Sequence, residues 1–148
     1  MFNKVKVSTV LPASKDEIFE LLLQTKTLEF VAHGKVEFDT LPPIWEVGKP
    51  VLTRVRQIGH TEWDEHTVIF KTIDKSHGLL ETEEYGDKFK WWNHTMTVKD
   101  VGNNRCRYTD VVEFSAGLLT PIAWFLVNDY YQHRHDRWLM WLKYPKTT

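Results

Sequence analysis

The stretch KFKWWNHTMTVKDVGNNRCRYTDVVEFSA, residues 88–116, contains two alternating runs on either side of VGNN. Alternation with a period of two is typical of β-strands, because successive side chains point to opposite faces of a sheet. Gly102 and the two asparagines that follow it suit a tight turn between the runs. The stretch therefore predicts an antiparallel hairpin.

The same alternation predicts which side chains of the hairpin face the core. The inward set is Trp92, His94, Met96 and Val98 in the first arm, and Cys106, Tyr108, Asp110, Val112 and Phe114 in the second. Asp110 stands out in this set, because an inward carboxylate is costly unless it is paired or hydrogen-bonded. His94 in the neighbouring arm, His135 and Tyr131 are its natural partners. Their bonds to Asp110 either are structural or form an acid–base pair.

The N-terminal region predicts a strand followed by two short helices. VKVSTVL, residues 5–11, alternates as a half-buried strand. Ser14 followed by Glu17 is a capping box, which predicts a helix from about Lys15 to Leu23. KTLEFVA, residues 26–32, predicts a second short helical turn.

The rest of the chain completes an α+β pattern. Further strand-like segments precede the hairpin, and LLTPIAWFLVNDYYQHRHDRWLMWLKY, residues 118–144, predicts one long helix with Pro121 in its first turn. We therefore expect one domain, residues 1–148, with a curved antiparallel sheet of about seven strands gripping the long C-terminal helix. Such a sheet leaves a cavity beside the helix unless the helix fills it.

The composition excludes several functional classes. A net charge of −1 gives no broad field for nucleic acid or an anionic membrane. One cysteine, Cys106, cannot form an internal disulfide, which fits a reducing compartment. The start, MFNKVKVSTV, lacks the apolar stretch of a signal peptide, and no apolar run is long enough to cross a bilayer. We expect a cytoplasmic protein without a nucleic-acid partner or stable membrane insertion.

Three stretches in order resemble the START-like superfamily, also called the helix-grip fold or SRPBCC. VSTVLPASKDEIFELL (7–22) is similar to its opening strand and helix, NHTMTVKDVGNNRCRYTDVVEF (93–114) to its penultimate hairpin, and YYQHRHDRWLMWL (130–142) to the final helix of a bacterial branch. The resemblance covers essentially the whole chain and implies a β-α-α-β6-α fold. The superfamily includes polyketide cyclases/dehydrases and lipid-transfer proteins, so function must be argued from the site.

The segment YYQHRHDRW, residues 130–138, has two histidines two residues apart. At about 100° per residue in a helix, His133 lies almost opposite His135. A helical pair of metal ligands needs a spacing of three or four. We therefore predict no metal site and no cofactor, and we expect His133 to be solvated.

The inward stripe of the last helix predicts part of a ligand site. Trp124, Asn128, Tyr131, His135, Trp138 and Leu142 fall within it. Its polar members need partners when buried. They either bond to the sheet and lock the helix in place or face a cavity and orient a ligand. His66, in register with Val68 and Phe70, is a further inward candidate, and surface exposure on its mixed strand is the alternative. The candidate ligand-binding residues are His135, Tyr131, Asn128, Asp110, Tyr108, Trp92, His94, His66, Trp124 and Trp138.

Three functional hypotheses follow from these residues. The first is a carrier or sensor that binds a small apolar or aromatic molecule between the sheet and the final helix. The second is a cyclase/dehydrase-type enzyme with His135, Tyr131 and Asp110 as acid–base groups. The third is an interaction domain whose cavity is filled by its own side chains, because the chain has seven tryptophans. We favour the first, and the sequence leaves catalysis open.

The segment AGLLTPIAWFLV, residues 116–127, is apolar on nearly every side. If the segment begins the last helix, one face packs inward, and the remaining apolar side chains need another surface to shield them from water. Because the segment has no basic residue, a membrane-surface helix is disfavoured. A homodimer contact or burial within the fold would supply the cover.

Overall fold

The computed structural model describes residues 3–143. Its strands are β1 Lys4–Leu11, β2 Val36–Phe38, β3 Val51–Gln57, β4 Asp64–Asp74, β5 Leu79–Gly86, β6 Trp91–Gly102 and β7 Arg105–Ser115. Its helices are α1 Lys15–Leu22, α2 Thr25–Ala32 and α3 Thr120–Lys143, the last preceded by a 3-10 turn at Gly117–Leu119. The predicted continuation of the last helix to Tyr144 lies outside the described residues.

The seven strands form one antiparallel sheet in the order β1-β7-β6-β5-β4-β3-β2. The first strand pairs with the last, so the chain's first and last sheet segments lie side by side. The sheet curls into a half-barrel, and α3 packs against β1 and α2. This confirms the predicted α+β architecture, with two short helices between the first two strands and the long helix at the C-terminal end.

The predicted hairpin and its inward set are confirmed. In the register of β6 and β7, Met96 lies opposite Asp110 and His94 opposite Val112. All nine predicted inward side chains of the two arms are buried. The turn residues Asn103 and Asn104 have φ values of 57° and 55°. Two consecutive positive φ angles are typical of the type I′ turn, whose twist matches that of the flanking strands.

Replacing Asn104 with glycine is expected to raise the free energy of unfolding by about 0.5 kcal/mol, because glycine adopts positive φ without a Cβ penalty. An Asn104→Val variant should lose about 1 kcal/mol or more, because β-branched residues rarely tolerate this region. Urea denaturation of both variants measures the difference. Equal stability of the glycine and valine variants would contradict the left-handed turn.

The N-terminal helix begins as the capping pattern predicts. The Glu17 amide donates to the Ser14 hydroxyl oxygen at 3.1 Å, and the hydroxyl in turn contacts the Glu17 carboxylate at 3.2 Å. The helix ends at Leu22, one residue before the predicted Leu23. Its buried side chains, Ile18 and Phe19 among them, join the larger of two core clusters.

The core consists of two clusters that meet along α3. Trp138 belongs to the larger cluster, with the buried side chains of α1 and Tyr108. Tyr131 belongs to the smaller one, with Trp92 and Phe114. His135 lies between these two α3 aromatics in sequence, so the helix brings a polar side chain to the junction of the clusters. This junction adjoins the candidate site.

Candidate ligand-binding site

A cavity of about 910 Å³ lies between α3, α2 and the sheet. This volume falls in the range of about 300–1,000 Å³ that is usual for small-molecule sites. Apolar side chains from all three sides form much of its wall, including Leu28, Val31, Val68, Phe70, Met96 and Val127. Ile58 and Ile122 also line it and are solvent-exposed, so they mark its mouth.

Three tryptophans, Trp45, Trp92 and Trp138, stand on the cavity wall. All three are buried, and they pack with neighbouring aromatic rings of the core. The space that they border is still large. The structure therefore disagrees with the hypothesis of a cavity filled by the chain's own tryptophans.

The ten predicted site residues divide into two groups. His66, Trp92, His94, Tyr131 and Trp138 line the cavity. Asp110, Tyr108 and His135 are buried but lie off the wall, and Trp124 and Asn128 are half-buried off the wall. Trp124 uses its indole N–H to donate to the Lys4 carbonyl at 2.7 Å. The helix thus brings some predicted residues to the cavity and uses others to attach itself to the sheet.

Asp110 is the centre of a buried hydrogen-bond network and is 1% exposed. Its Oδ1 accepts from the Tyr108 hydroxyl at 2.7 Å and lies 2.5 Å from His94 Nε2. Its Oδ2 lies 2.8 Å from His135 Nε2. Because an ionised carboxylate only accepts, both imidazoles donate to it through Nε2. Both proposed histidine partners are therefore in contact with the same carboxylate.

The outer nitrogens of the two histidines point in different directions. His135 Nδ1 lies 2.7 Å from the Thr9 hydroxyl of β1. His94 Nδ1 lies 3.5 Å from the Tyr131 hydroxyl, which is a long and weak contact. The first contact holds α3 on the sheet. The second extends the network from Asp110 through His94 to Tyr131 on the cavity wall.

The electrostatics of the network keep the charge on Asp110. Burial disfavours its carboxylate, but the neighbouring His94 and the hydrogen bonds from His135 and His94 outweigh burial and hold the pKa of Asp110 well below its usual range. Burial raises the pKa of Tyr108 and Tyr131 well above the ordinary value. Both phenols therefore remain hydrogen-bond donors at neutral pH.

A second polar cluster on the wall joins the predicted His66 to Glu84 and Thr82, which sequence reasoning missed. Glu84 Oε1 lies 2.8 Å from His66 Nε2, and Glu84 Oε2 accepts from the Thr82 hydroxyl at 2.7 Å. Burial opposes the charge on Glu84, but these bonds outweigh it and lower its pKa. The alternation of Leu80, Thr82 and Glu84 along β5 was the signal that could have found this cluster.

Sequence reasoning also missed Arg134. It is 7% exposed and lies on the cavity wall. Its guanidinium lies 4.7 Å from the ring centre of Tyr131 and 5.5 Å from that of Tyr130, at cation–π distance. Its position about 60° from Tyr131 around the helix places it beside the predicted stripe. Arginine side chains are mostly exposed, so the residue type gave no reason to predict burial at this position.

Four buried side-chain atoms have no hydrogen-bond partner within the described part of the chain. They are Thr27 Oγ1, Trp92 Nε1, Arg134 Nε and Trp138 Nε1. All four belong to residues that line the cavity. Buried polar atoms are nearly always hydrogen-bonded, so these four atoms, on residues of α2, β6 and α3 around the cavity, are an unusual feature of the core.

His133 lies away from the cavity, as the helical spacing predicted. It is half-buried instead of fully solvated, because its Nε2 lies 2.6 Å from the His33 carbonyl at the end of α2.

Within residues 3–143, no group of three His, Cys, Asp or Glu side chains is arranged to hold a metal ion. Nor does any described helix have the length and apolar content to cross a membrane.

The fold is START-like, or helix-grip, and solved structures over nearly the whole chain share it. Protein CV1439 from Chromobacterium violaceum is 11% identical, with 97% of this chain and 99% of that chain covered and a TM-score of 0.76. A START superfamily protein from Mycobacterium smegmatis is 13% identical, with coverages of 95% and 97% and a TM-score of 0.69. Norcoclaurine synthase from Thalictrum flavum, solved with dopamine and hydroxybenzaldehyde, is 16% identical, with coverages of 98% and 88% and a TM-score of 0.67.

These identities are low, so the similarity establishes the fold and leaves the ligand to be argued from the site. No protein-family model matches the sequence, and no curated protein matches it as a relative.

Proposed function

We propose that the protein binds a small hydrophobic or aromatic molecule in the cavity between the sheet and α3, as a carrier or sensor. The observation that carries this proposal is the cavity of about 910 Å³ with its largely apolar wall. Burial of an apolar ligand there would remove both surfaces from water, which is the main driving force for such binding. The dopamine and hydroxybenzaldehyde bound by norcoclaurine synthase show that this fold can hold aromatic molecules.

Native mass spectrometry of the purified protein, before and after denaturing extraction, tests the proposal. A small molecule that leaves on unfolding would support it and identify the chemical class. If the natural ligand is lost during purification, titration with N-phenyl-1-naphthylamine, an uncharged apolar fluorophore, tests whether the empty cavity binds an apolar molecule. An apo mass together with no uptake of this fluorophore would reject the proposal.

The alternative is an enzyme of the cyclase/dehydrase type, and one observation favours it. The network from Asp110 through His94 ends at the Tyr131 hydroxyl, and both His94 and Tyr131 line the cavity. An imidazole that donates to a buried carboxylate can take a proton from a bound molecule and return it. His135 belongs to the same network but lies off the wall, so His94 is the acid–base group that we propose.

For a bound molecule that the protein converts, His94→Gln is expected to lower kcat by about 100-fold or more, because one general acid–base group contributes on this order. The dissociation constant should change much less. His77→Gln, which alters a solvent-exposed histidine, is the matched control. Unchanged turnover by the His94 variant would remove the proposed proton-transfer role.

The partner that we propose for the apolar surface before and within α3 is a second copy of the chain. Leu118, Leu119, Ile122, Phe125 and Leu126 are each at least 59% exposed. Burial within the fold, one of the two covers expected for this segment, does not apply to these five side chains, although Val127 of the same segment is buried. Its lack of basic residues disfavours an anionic membrane, and a second copy would present the same apolar surface in a two-fold contact.

Light scattering after size exclusion is expected to give a mass above that of the 17.6 kDa monomer at high protein concentration. Phe125→Glu should shift the equilibrium toward the monomer by at least about tenfold, because it places a charge in the contact. Gln132→Glu, on an exposed part of the same helix, should have no such effect. A wild type that is monomeric at every concentration would contradict self-association.

A further inference from the structure

We infer that the ligand is an apolar carboxylic acid, whose carboxylate pairs with Arg134 while its hydrocarbon or aromatic body fills the cavity. This inference rests on the proposed binding function and specifies its ligand class. It starts from a buried cation on the wall, which the apolar cavity alone does not explain.

Arg134 has no carboxylate partner among the residues that the structure describes. Within residues 3–143 the ion pairs include none that involves it, so no described carboxylate lies within 4.0 Å of its nitrogens. The buried carboxylates of the site are already engaged: Asp110 accepts from three side chains, and Glu84 contacts His66 and Thr82. Asp110 therefore favours the Arg134 charge only from a distance, and no described carboxylate pairs directly with the guanidinium.

The contacts that Arg134 does make satisfy it only in part. Its guanidinium contacts the rings of Tyr130 and Tyr131 and interacts with the Tyr130 hydroxyl. Its Nε has no partner. Arginine remains protonated at physiological pH, and a buried charge is normally paired. The tyrosines therefore hold the guanidinium in place but use only part of its five N–H donors.

Arg134 also determines which ligand group can lie beside it. A guanidinium offers only donors. A group that pairs with it must therefore present oxygen acceptors. An amine at this position would meet donors and a like charge, so Arg134 disfavours it.

The charge balance favours a single carboxylate over a phosphate. Two other cations line the cavity, Lys35 and Lys88, and each has an acidic partner, Asp129 at 2.8 Å and Asp64 at 3.1 Å. Of the remaining lining carboxylates, Glu84 contacts His66, and Glu65 and Asp87 are exposed to solvent. The buried guanidinium without a described ion-pair partner therefore matches one negative charge. Its planar fork also fits the two oxygens of a carboxylate in a bidentate pair.

Displacement of N-phenyl-1-naphthylamine by matched acids and alcohols tests the inference at pH 7.5. The pairs are octanoate with octan-1-ol and 2-naphthoate with 2-naphthalenemethanol. Each acid is expected to displace the fluorophore at a concentration at least tenfold lower than its alcohol, although the neutral alcohol is the more hydrophobic member. Equal displacement by acid and alcohol would overturn the inference and leave the proposed binding function intact.

Arg134→Met keeps a long side chain without the charge and should abolish the preference for the acid while the alcohols still bind. Arg137→Met is the matched control, because Arg137 lies on the same helix off the wall and donates to the Phe30 carbonyl. Arg134→Lys, which retains the charge, should retain part of the preference for the acid. It is the variant to be tested if Arg134→Met does not fold. A full preference in a folded Arg134→Met variant would overturn the inference. Failure of the fluorophore to bind the wild type would instead reject the proposed function.

The ligand-free stability gives a second readout that a purely structural arginine would not produce. Because the unpaired charge is costly to bury, the melting temperature of ligand-free Arg134→Met should equal or exceed that of the wild type. Octanoate should raise the melting temperature of the wild type and not that of the variant. A large loss of melting temperature in the variant would show that Arg134 serves the fold, against the inference.

Discussion

The Asp110→Ala variant is expected to lose about 4 kcal/mol of unfolding free energy, because it removes the acceptor shared by three buried donors. Tyr108, His94 and His135 all bond to this carboxylate and are themselves buried. Without it each donor is left unsatisfied in a place that water does not readily reach. This is the largest stability effect that we expect from a single polar side chain.

Urea denaturation followed by tryptophan fluorescence measures the loss. Glu113→Ala is the matched control, because Glu113 lies on the same strand and is exposed on its opposite face. The control should change stability by less than about 0.5 kcal/mol. A loss of under 1 kcal/mol in Asp110→Ala would mean that the network contributes little to the fold.

The same carboxylate predicts a pH dependence. Its pKa in the folded state lies below the unfolded value of about 3.9, so its stabilisation is fully present above that value and is lost as the pH falls toward the folded pKa. Asp110→Asn lacks this titration. The stability difference between wild type and Asp110→Asn should therefore narrow between about pH 5 and pH 2, and a constant difference would contradict the lowered pKa.

Replacing Ala123 with tryptophan is expected to abolish ligand uptake. Ala123 is half-buried on α3 and lines the cavity. An indole at this position would occupy space that the ligand needs, so the affinity for N-phenyl-1-naphthylamine should fall by about 100-fold or more, equivalent to about 2.7 kcal/mol. Fluorescence titration of the folded variant gives the result.

Gln132→Trp is the control for this substitution, because Gln132 is exposed on the same helix and is absent from the cavity wall. It should bind the fluorophore as the wild type does. If Ala123→Trp binds with undiminished affinity while its circular dichroism is native, the fluorophore occupies another part of the protein. The proposal that this cavity is the binding site would then fail.

Much of the fold could be predicted because its signals are local. The alternation around the Asn103–Asn104 turn defines the hairpin and its inward side chains, and the Ser14 capping pattern defines the start of α1. The placement of Asp110 among histidines also followed from the cost of burying a carboxylate. These inferences need only the period of an element and the chemistry of one residue.

The cavity wall could be predicted only in part, because it depends on how the sheet curves and where the helix crosses it. His94 and His135 were equivalent as inward residues, yet only His94 lines the cavity. Arg134 was missed because its burial depends on two tyrosine rings of the preceding turn, and Glu84 because its partner His66 lies on another strand. Such relations come from tertiary packing and leave little trace in a single sequence.

The network around Asp110 also has a consequence for how the chain folds. Thr9, His94, Asp110 and His135 come from β1, β6, β7 and α3, which are separated by up to 126 positions along the chain. Its bonds cannot all form until the first strand, the late hairpin and the last helix have met, and sliding α3 by one residue would turn His135 away by about 100°. We therefore expect the docking of the last helix and the closure of the sheet to be a single cooperative event, formed late in folding.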